Sequence, residues 1–203
     1  MTITEQSVSQ RLGAQREHLF VRSLSVQGGE ARFCGERTPY ARIIMTGVDL
    51  EHAGSQVPVP RRQESAVLRL EHAAAFVADL RQIVNELVRS TPTPAVAANG
   101  SWSWSSVPPH AEELVVARAD AAKTSIVAAA GARPTVRVDF TGTLVRGLAS
   151  YGAPVHAQTA VFSSPRQVQA LISSLKKVVN SSLAQRRLEV YVSAPAPVST
   201  SGF

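Results

Sequence analysis

One cysteine, Cys34, in 203 residues leaves neither an intramolecular disulfide nor a thiolate zinc site for the fold to rest on. Aromatic residues are scarce too, at 5%, which limits any binding mode that depends on stacking. No stretch approaches the roughly 18 consecutive apolar residues that a membrane helix needs, so no membrane partner is expected. The opening MTITEQSVSQ has no basic cluster followed by an apolar run and does not read as a secretory signal. These absences predict a soluble chain kept in a reducing compartment, the cytoplasm.

Catalytic signatures are missing as well. There is no glycine-rich phosphate loop, no G-x-S-x-G elbow and no H-E-x-x-H metal pair. The histidines, His18, His52, His72, His110 and His156, are scattered, and Glu71 and His72 are chain neighbours whose side chains diverge. Cys34 lies in a strand-like apolar run and reads as core, not as a nucleophile. The sequence is read as non-enzymatic, with no cofactor and no metal.

What is present is an ordinary globular composition, 44% hydrophobic and 18% charged, with an uneven basic excess of +6. Residues 1–90 hold 11 basic and 10 acidic side chains, whereas residues 91–203 hold 10 and 5. From Arg133 to Arg187 there are eight basic residues against one acid, Asp139. Arginine outnumbers lysine 18 to 3; a coding bias and a need for phosphate contacts account for that ratio equally well.

The chain also repeats itself. YARIIMTGVDL (Tyr40–Leu50) returns as TVRVDFTGTLV (Thr135–Val145), its Thr-Gly pair moving from 46–47 to 141–142, an offset of 95. Ala41, Ile43 and Met45 then answer Val136, Val138 and Phe140 on one strand parity, while Tyr40, Arg42 and Ile44 answer Thr135, Arg137 and Asp139 on the other. Alternation of period two in one phase predicts two half-buried strands. Upstream, a Gly and a Pro mark a turn in each copy. Downstream, SAVLRL (65–70) answers TAVFSS (159–164), and an amphipathic helix follows each. Phe76, Leu80, Ile83, Val84 and Leu87 share one helical face, as do Leu171, Leu175, Val178 and Val179. Ser164-Pro165-Arg166-Gln167 reads as a capping box that the first copy lacks, so the two helix starts should differ.

Each unit is expected to open with further strands. HLFVRSLSV and EARFCGE serve the first; ELVVARADAAKTSIVAAAGA is open to helix by its alanines, but the duplication favours two strands. RRLEVYV predicts one more short strand after the last helix. The fold class is therefore α+β, an internally duplicated antiparallel unit of four strands and one helix, ββββα twice. The divisions are an N-terminal extension 1–17, a first unit 18–90, a Ser/Pro-rich connector 91–110, a second unit 111–192 and a mobile tail 193–203. Trp102 and Trp104 stand two apart in the connector and share a face if it is extended, either covering the protein's own apolar surface or meeting a partner.

A strand meander followed by a helix, occurring twice over residues 18–192, resembles the unit of the Whirly and Pur-alpha families. The resemblance implies paired sheets with the helices packed together and single-stranded DNA or RNA held on the sheet surface. The lysine-glycine strand motifs of those families have no counterpart here, which shifts the expected affinity toward phosphate contacts. Read from the residues alone, Arg42 and Arg137 point away from the helices with Tyr40 beside Arg42. Arg37 and Arg133 occupy the preceding turns, and Arg61, Arg62 and Arg146 flank the same strands, a candidate basic track for a phosphate backbone; a solvated strand face explains the same residues. The alternative is a structural or assembly protein, a virion or tail component, using the Trp pair and the loop EHAGSQVPVPRRQE as contacts in a homo-oligomer. Phosphate binding weakens steeply with salt and hydrophobic assembly does not, which separates the two.

Overall fold

The computed structural model describes residues 14–15, 18–33, 36–53, 60–90, 104–105, 112–128, 131–146 and 155–192. Six long strands and two helices follow one another as three strands and a helix, twice. In the first unit these are β1 (Leu19–Phe33), β2 (Glu36–Asp49), β3 (Arg62–Arg69) and α1 (Leu70–Ser90). In the second they are β4 (Glu112–Ala128), β5 (Gly131–Arg146), β6 (Val155–Ser163) and α2 (Pro165–Val192). Two-residue bridges add Ala14–Gln15 to β6 and Trp104–Ser105 to β1, both parallel.

The pattern is therefore βββα twice and not ββββα twice. HLFVRSLSV and the start of EARFCGE do not form separate strands: Leu19–Phe33 is one 15-residue strand, β1, while Cys34 and Gly35 lie outside the described residues and Glu36 opens β2. Gly28 and Gly29 stay extended, opposite Ala41 and Tyr40, instead of turning the chain. The alanine-rich segment of the second unit is likewise one 17-residue strand, β4. Nor is RRLEVYV a strand: α2 runs through it to Val192, with no proline or glycine after Pro165 to interrupt the ladder. Both helices begin at equivalent positions, Leu70 and Pro165, so only their caps differ. At Ser164 the capping box forms as the sequence suggests. The Ser164 backbone N–H donates to Gln167 Oε1 (2.9 Å), and Gln167 N–H donates to Ser164 Oγ (3.3 Å).

Within each unit the strands pair antiparallel, β1 with β2 with β3 and β4 with β5 with β6. Two parallel seams join the units. Ala66 and Val67 of β3 pair with Leu114 and Val115 of β4, and Val161 and Phe162 of β6 pair with Leu19 and Phe20 of β1. The second seam closes the six strands into a ring. Every residue of one seam lies 95 positions from its counterpart in the other, so the ring has an internal two-fold repeat.

That register corrects one equivalence. Ile43 pairs with Ala66 and Val138 with Val161, so Ser65 corresponds to Ala160 and Val67 to Phe162. Matching SAVLRL with TAVFSS by residue type slips the strand by one. In a strand of period two such a slip exchanges the faces. Glu64 to Leu68 are all buried, on both faces, so no alternation of polarity was there to forbid it.

The repeated Thr-Gly pair has a backbone reason. β1 slips register between Val21 and Ser23, and β4 does so between Val116 and Arg118, at equivalent points. Gly47 and Gly142 lie opposite Val21 and Val116, and a Cβ on either would run into the carbonyl of Phe20 or Val115. Only glycine lets the bulged strand lie that close. Beyond the bulges the β1–β2 and β4–β5 pairs run on as long hairpins; Gly131, at φ 101°, opens β5 after the second hairpin's turn.

One core joins both units. Ala41, Ile43 and Met45 face it from β2, as do Val136, Val138 and Phe140 from β5. Phe76, Leu80, Val84 and Leu87 of α1 and Leu171, Leu175 and Val178 of α2 complete it, with Phe76 edge-on to Phe140 at 5.9 Å. No helix among the described residues is long and apolar enough to cross a membrane.

Candidate functional site

Arg42 and Arg137 occupy equivalent places on the outer faces of β2 and β5, yet their surroundings are opposite in kind. Arg42 reaches across β3 to the first seam. Its Nε lies 2.6 Å from Glu113 Oε1, Nη1 donates to Gln27 Oε1 (3.4 Å) and Nη2 to the Tyr40 hydroxyl (3.5 Å). The Ser65 hydroxyl donates to the same Glu113 oxygen at 2.8 Å. The guanidinium is only 12% exposed and Glu113 5%, while the Tyr40 residue as a whole is buried at 2%. Burial pushes the Tyr40 phenol up from its ordinary value, the Arg42 charge opposes this, and the Glu113 carboxylate adds to it. Arg42 and Tyr40 are thus committed to a sealed internal cluster that locks β2 across β3 onto β4.

Around Arg137 each residue of that cluster is exchanged. Glu113 corresponds to His18, Gln27 to Ala122, Ser65 to Ala160 and Tyr40 to Thr135, whose hydroxyl is turned to the Thr124 carbonyl (3.3 Å). Arg137 instead donates from Nε (3.1 Å) and Nη2 (2.9 Å) to Asp139 Oδ1 of its own strand, and it keeps 40% of its side chain exposed. Aromatic rings replace the valines of the first seam. Phe162 stands where Val67 does and Phe20 where Val115 does, register partners with their side chains on the outer face. The Arg137 guanidinium sits 5.8 Å from the Phe162 ring centre, and the His18 ring is 5.6 Å from it. Arg22, exposed, lies 4.9 Å over Phe20 and donates from Nη2 to the Ala53 carbonyl (2.8 Å). Two rings and two guanidiniums thus share one outer face across β5, β6 and β1.

The other sequence-predicted cations are not brought into one track. Arg62 is held between Asp49 (2.7 Å) and Glu64 (3.4 Å). Arg61 is exposed at the entry to β3, and Arg133 is exposed on β5, opposite Ile126. In backbone terms Arg37 pairs with Arg32 on the first hairpin and Arg146 with Glu112 at the end of β5. Asp120 and Asp139 face each other directly on the outer side of the second hairpin, each next to its own arginine, Arg118 (2.7 Å) and Arg137. Charge there is largely compensated. Among the described residues no group of three or more His, Cys, Asp or Glu side chains is placed to hold a metal ion. Trp102 and Cys34 lie outside the described residues; Trp104 pairs through its backbone with Gly28.

Sequence reading missed Phe20, Phe162, His18 and Arg22. The signal was the offset of 95 carried one strand further. It sets Phe162 against Val67 and His18 against Glu113, and so exposes the difference between the two seams. Compared with known families, curated proteins and solved structures, this chain finds no match: no family model, no curated protein and no solved structure corresponds to it.

Proposed function

We propose that this protein is a non-enzymatic binder of single-stranded DNA or RNA that uses the outer face of the β6/β1 seam. One observation carries the reading: Arg137 over Phe162 and Arg22 over Phe20, on register-paired strands. Guanidiniums attract phosphate, and the half-buried Phe20 ring offers a surface on which an unpaired base stacks, while Phe162, only 5% exposed, backs Arg137. The equivalent face of the first unit also sets a guanidinium over a ring, Arg42 5.7 Å from the Tyr40 centre, but there the ring is buried and the cation is 12% exposed and paired with Glu113. The basic excess between Arg133 and Arg187 supports a polyanionic partner. The Whirly and Pur-alpha resemblance supports it through the order of strands and helix, although each unit has three long strands here.

With few rings and no array of base-reading donors, sequence preference should be slight. Fluorescence anisotropy of labelled single-stranded DNA and RNA at two salt concentrations tests the proposal. The logarithm of affinity should fall with that of salt by about 0.7 per phosphate neutralised. Arg137→Ala should lower that slope by nearly one, and Arg42→Ala should leave it almost unchanged because its cation is already paired. Absence of binding to either strand at low salt sinks the reading; preference for duplex keeps the charge argument and discards the stacking one.

An assembly role is the second reading, favoured by the β4–β5 hairpin. Beyond Val115, β4 pairs with β5 alone among the described residues, and Val127 near the tip is 86% exposed. Concentration-dependent association insensitive to salt would point there instead.

A further inference from the structure

The internal repeat supplies its own evidence about what Arg137 binds. In the first seam the outer guanidinium is only 12% exposed and each of its nitrogens faces a protein acceptor: the Glu113 carboxylate 2.6 Å from Nε, the Gln27 amide oxygen at Nη1 and the Tyr40 phenol at Nη2. In the second seam the residues equivalent to those three acceptors, His18, Ala122 and Thr135, give Arg137 none of these contacts, and Asp139 takes only Nε–H and one Nη2–H. A guanidinium has five N–H donors, so three remain, on a side chain 40% exposed and backed by the Phe162 ring. We infer that the outer face of the β6/β1 seam is a phosphate subsite, in which a phosphodiester oxygen meets the Nη1 end of Arg137 that Asp139 leaves free, beside His18, the residue equivalent to Glu113. Arg137 supplies the charged donors and the His18 ring walls the site. Phe20, with Arg22 above it, lies one strand further, in register with Phe162. The nucleic-acid nature of the ligand rests on the function proposed above; the position of the anion rests on the comparison of the two seams.

This explains why the two seams differ at each of these positions while their backbones keep one register. A sealed carboxylate makes the first seam a structural joint. Removing it, together with the neutral acceptors, leaves the second a joint that also presents a cation. The Arg137–Asp139 pair does not close the subsite, because its contacts lie along the strand and leave the Nη1 end free. It does lower the net charge, so an isolated phosphate should bind weakly and a strand carrying several should bind better.

The test restores the first seam's chemistry in the second. In His18→Glu a carboxylate should pair with Arg137 and occupy the subsite. Inorganic phosphate is titrated while the Arg137 Nε–H and Phe162 ring signals are followed by NMR, and a labelled oligothymidylate is titrated by anisotropy. The parent should give a saturable phosphate response at both residues. His18→Glu should abolish it and weaken the oligonucleotide about tenfold, the worth of one charge-assisted hydrogen bond, without lowering the thermal midpoint. Gln63→Glu adds the same charge on the exposed edge of the other unit and should leave the phosphate response intact; its loss there would reduce the effect to bulk charge and overturn the subsite. So would a parent protein whose Arg137 signal ignores phosphate. Oligonucleotide binding that survives His18→Glu undiminished overturns the subsite but not the nucleic-acid reading. A phosphate response that His18→Glu abolishes, without oligonucleotide binding at any salt, overturns that reading and leaves the subsite to a smaller phosphate ester.

Discussion

At the scale of single residues, the repeat separates what the fold requires from what it leaves free. Gly47 and Gly142 are the same residue because the bulged strand leaves no room for a Cβ at either place. Arg42 and Arg137 are the same residue with different work. Arg42 neutralises a buried carboxylate, so Arg42→Ala leaves Glu113 charged, nearly inaccessible and unpaired. That should cost about 3–5 kcal/mol. Arg137 forms a half-exposed pair within its own strand, and Arg137→Ala should cost under about 1 kcal/mol. Urea denaturation of the two variants checks this; equal losses would mean that the seams are not chemically distinct. Sequence periodicity identified both arginines as outward-facing, and so they are. What it could not supply was the partner. Glu113 is 71 positions from Arg42 and meets it only because a parallel seam sets β3 against β4, a pairing of distant segments that leaves no local trace in the sequence.

At the scale of elements, alternation and helical spacing were legible where one face is wet and the other dry. The phase of β2 and β5, the helix faces of α1 and α2 and the capping box at Ser164 were all readable for that reason. Strand number was not, because a glycine pair in β1 and an alanine run in β4 look like interruptions, although a two-stranded hairpin tolerates both. The second hairpin is also held by something no pattern predicts: Lys123 Nζ on β4 lies 2.7 Å from Glu86 Oε2 on α1. The hydrogen bond from Lys123, its charge and a hydrogen bond from Gln82 hold the Glu86 carboxyl below its ordinary value of 4.5. A carboxyl depressed in the fold stabilises it above the unfolded-state value, and that contribution fades as pH falls through the folded one. The pair is exposed and screened by salt, so the effect should be local. Amide exchange in β4 from Ala119 to Thr124 should quicken below pH 4.5, relative to the intrinsic rate, while β2 holds. Lys123→Ala should quicken it already at neutral pH and remove the pH step. Exchange that stays coupled in both hairpins would show that this contact tethers nothing.

At the scale of the whole molecule, the question is whether a chain made of two similar units behaves as two domains. The ring argues against it. Each seam rests on two paired residues per strand, and neither unit closes without the other. The apolar side chains of both helices and all six strands form one cluster, with Phe76 of the first unit packed on Phe140 of the second. Opening either unit exposes the interior of its neighbour, so the free energy of unfolding is shared between them. A single cooperative transition is expected, with calorimetric and van 't Hoff enthalpies in agreement. Leu80 and Leu175, both fully buried, give the sharper test. Truncating either to Ala should cost about 2–5 kcal/mol, and both variants should move that one transition as a whole. Two independent domains would respond differently: Leu80→Ala would split off an early first-unit transition and leave a second at the parent temperature. A split melt would place the boundary between the units where the ring now has its seams.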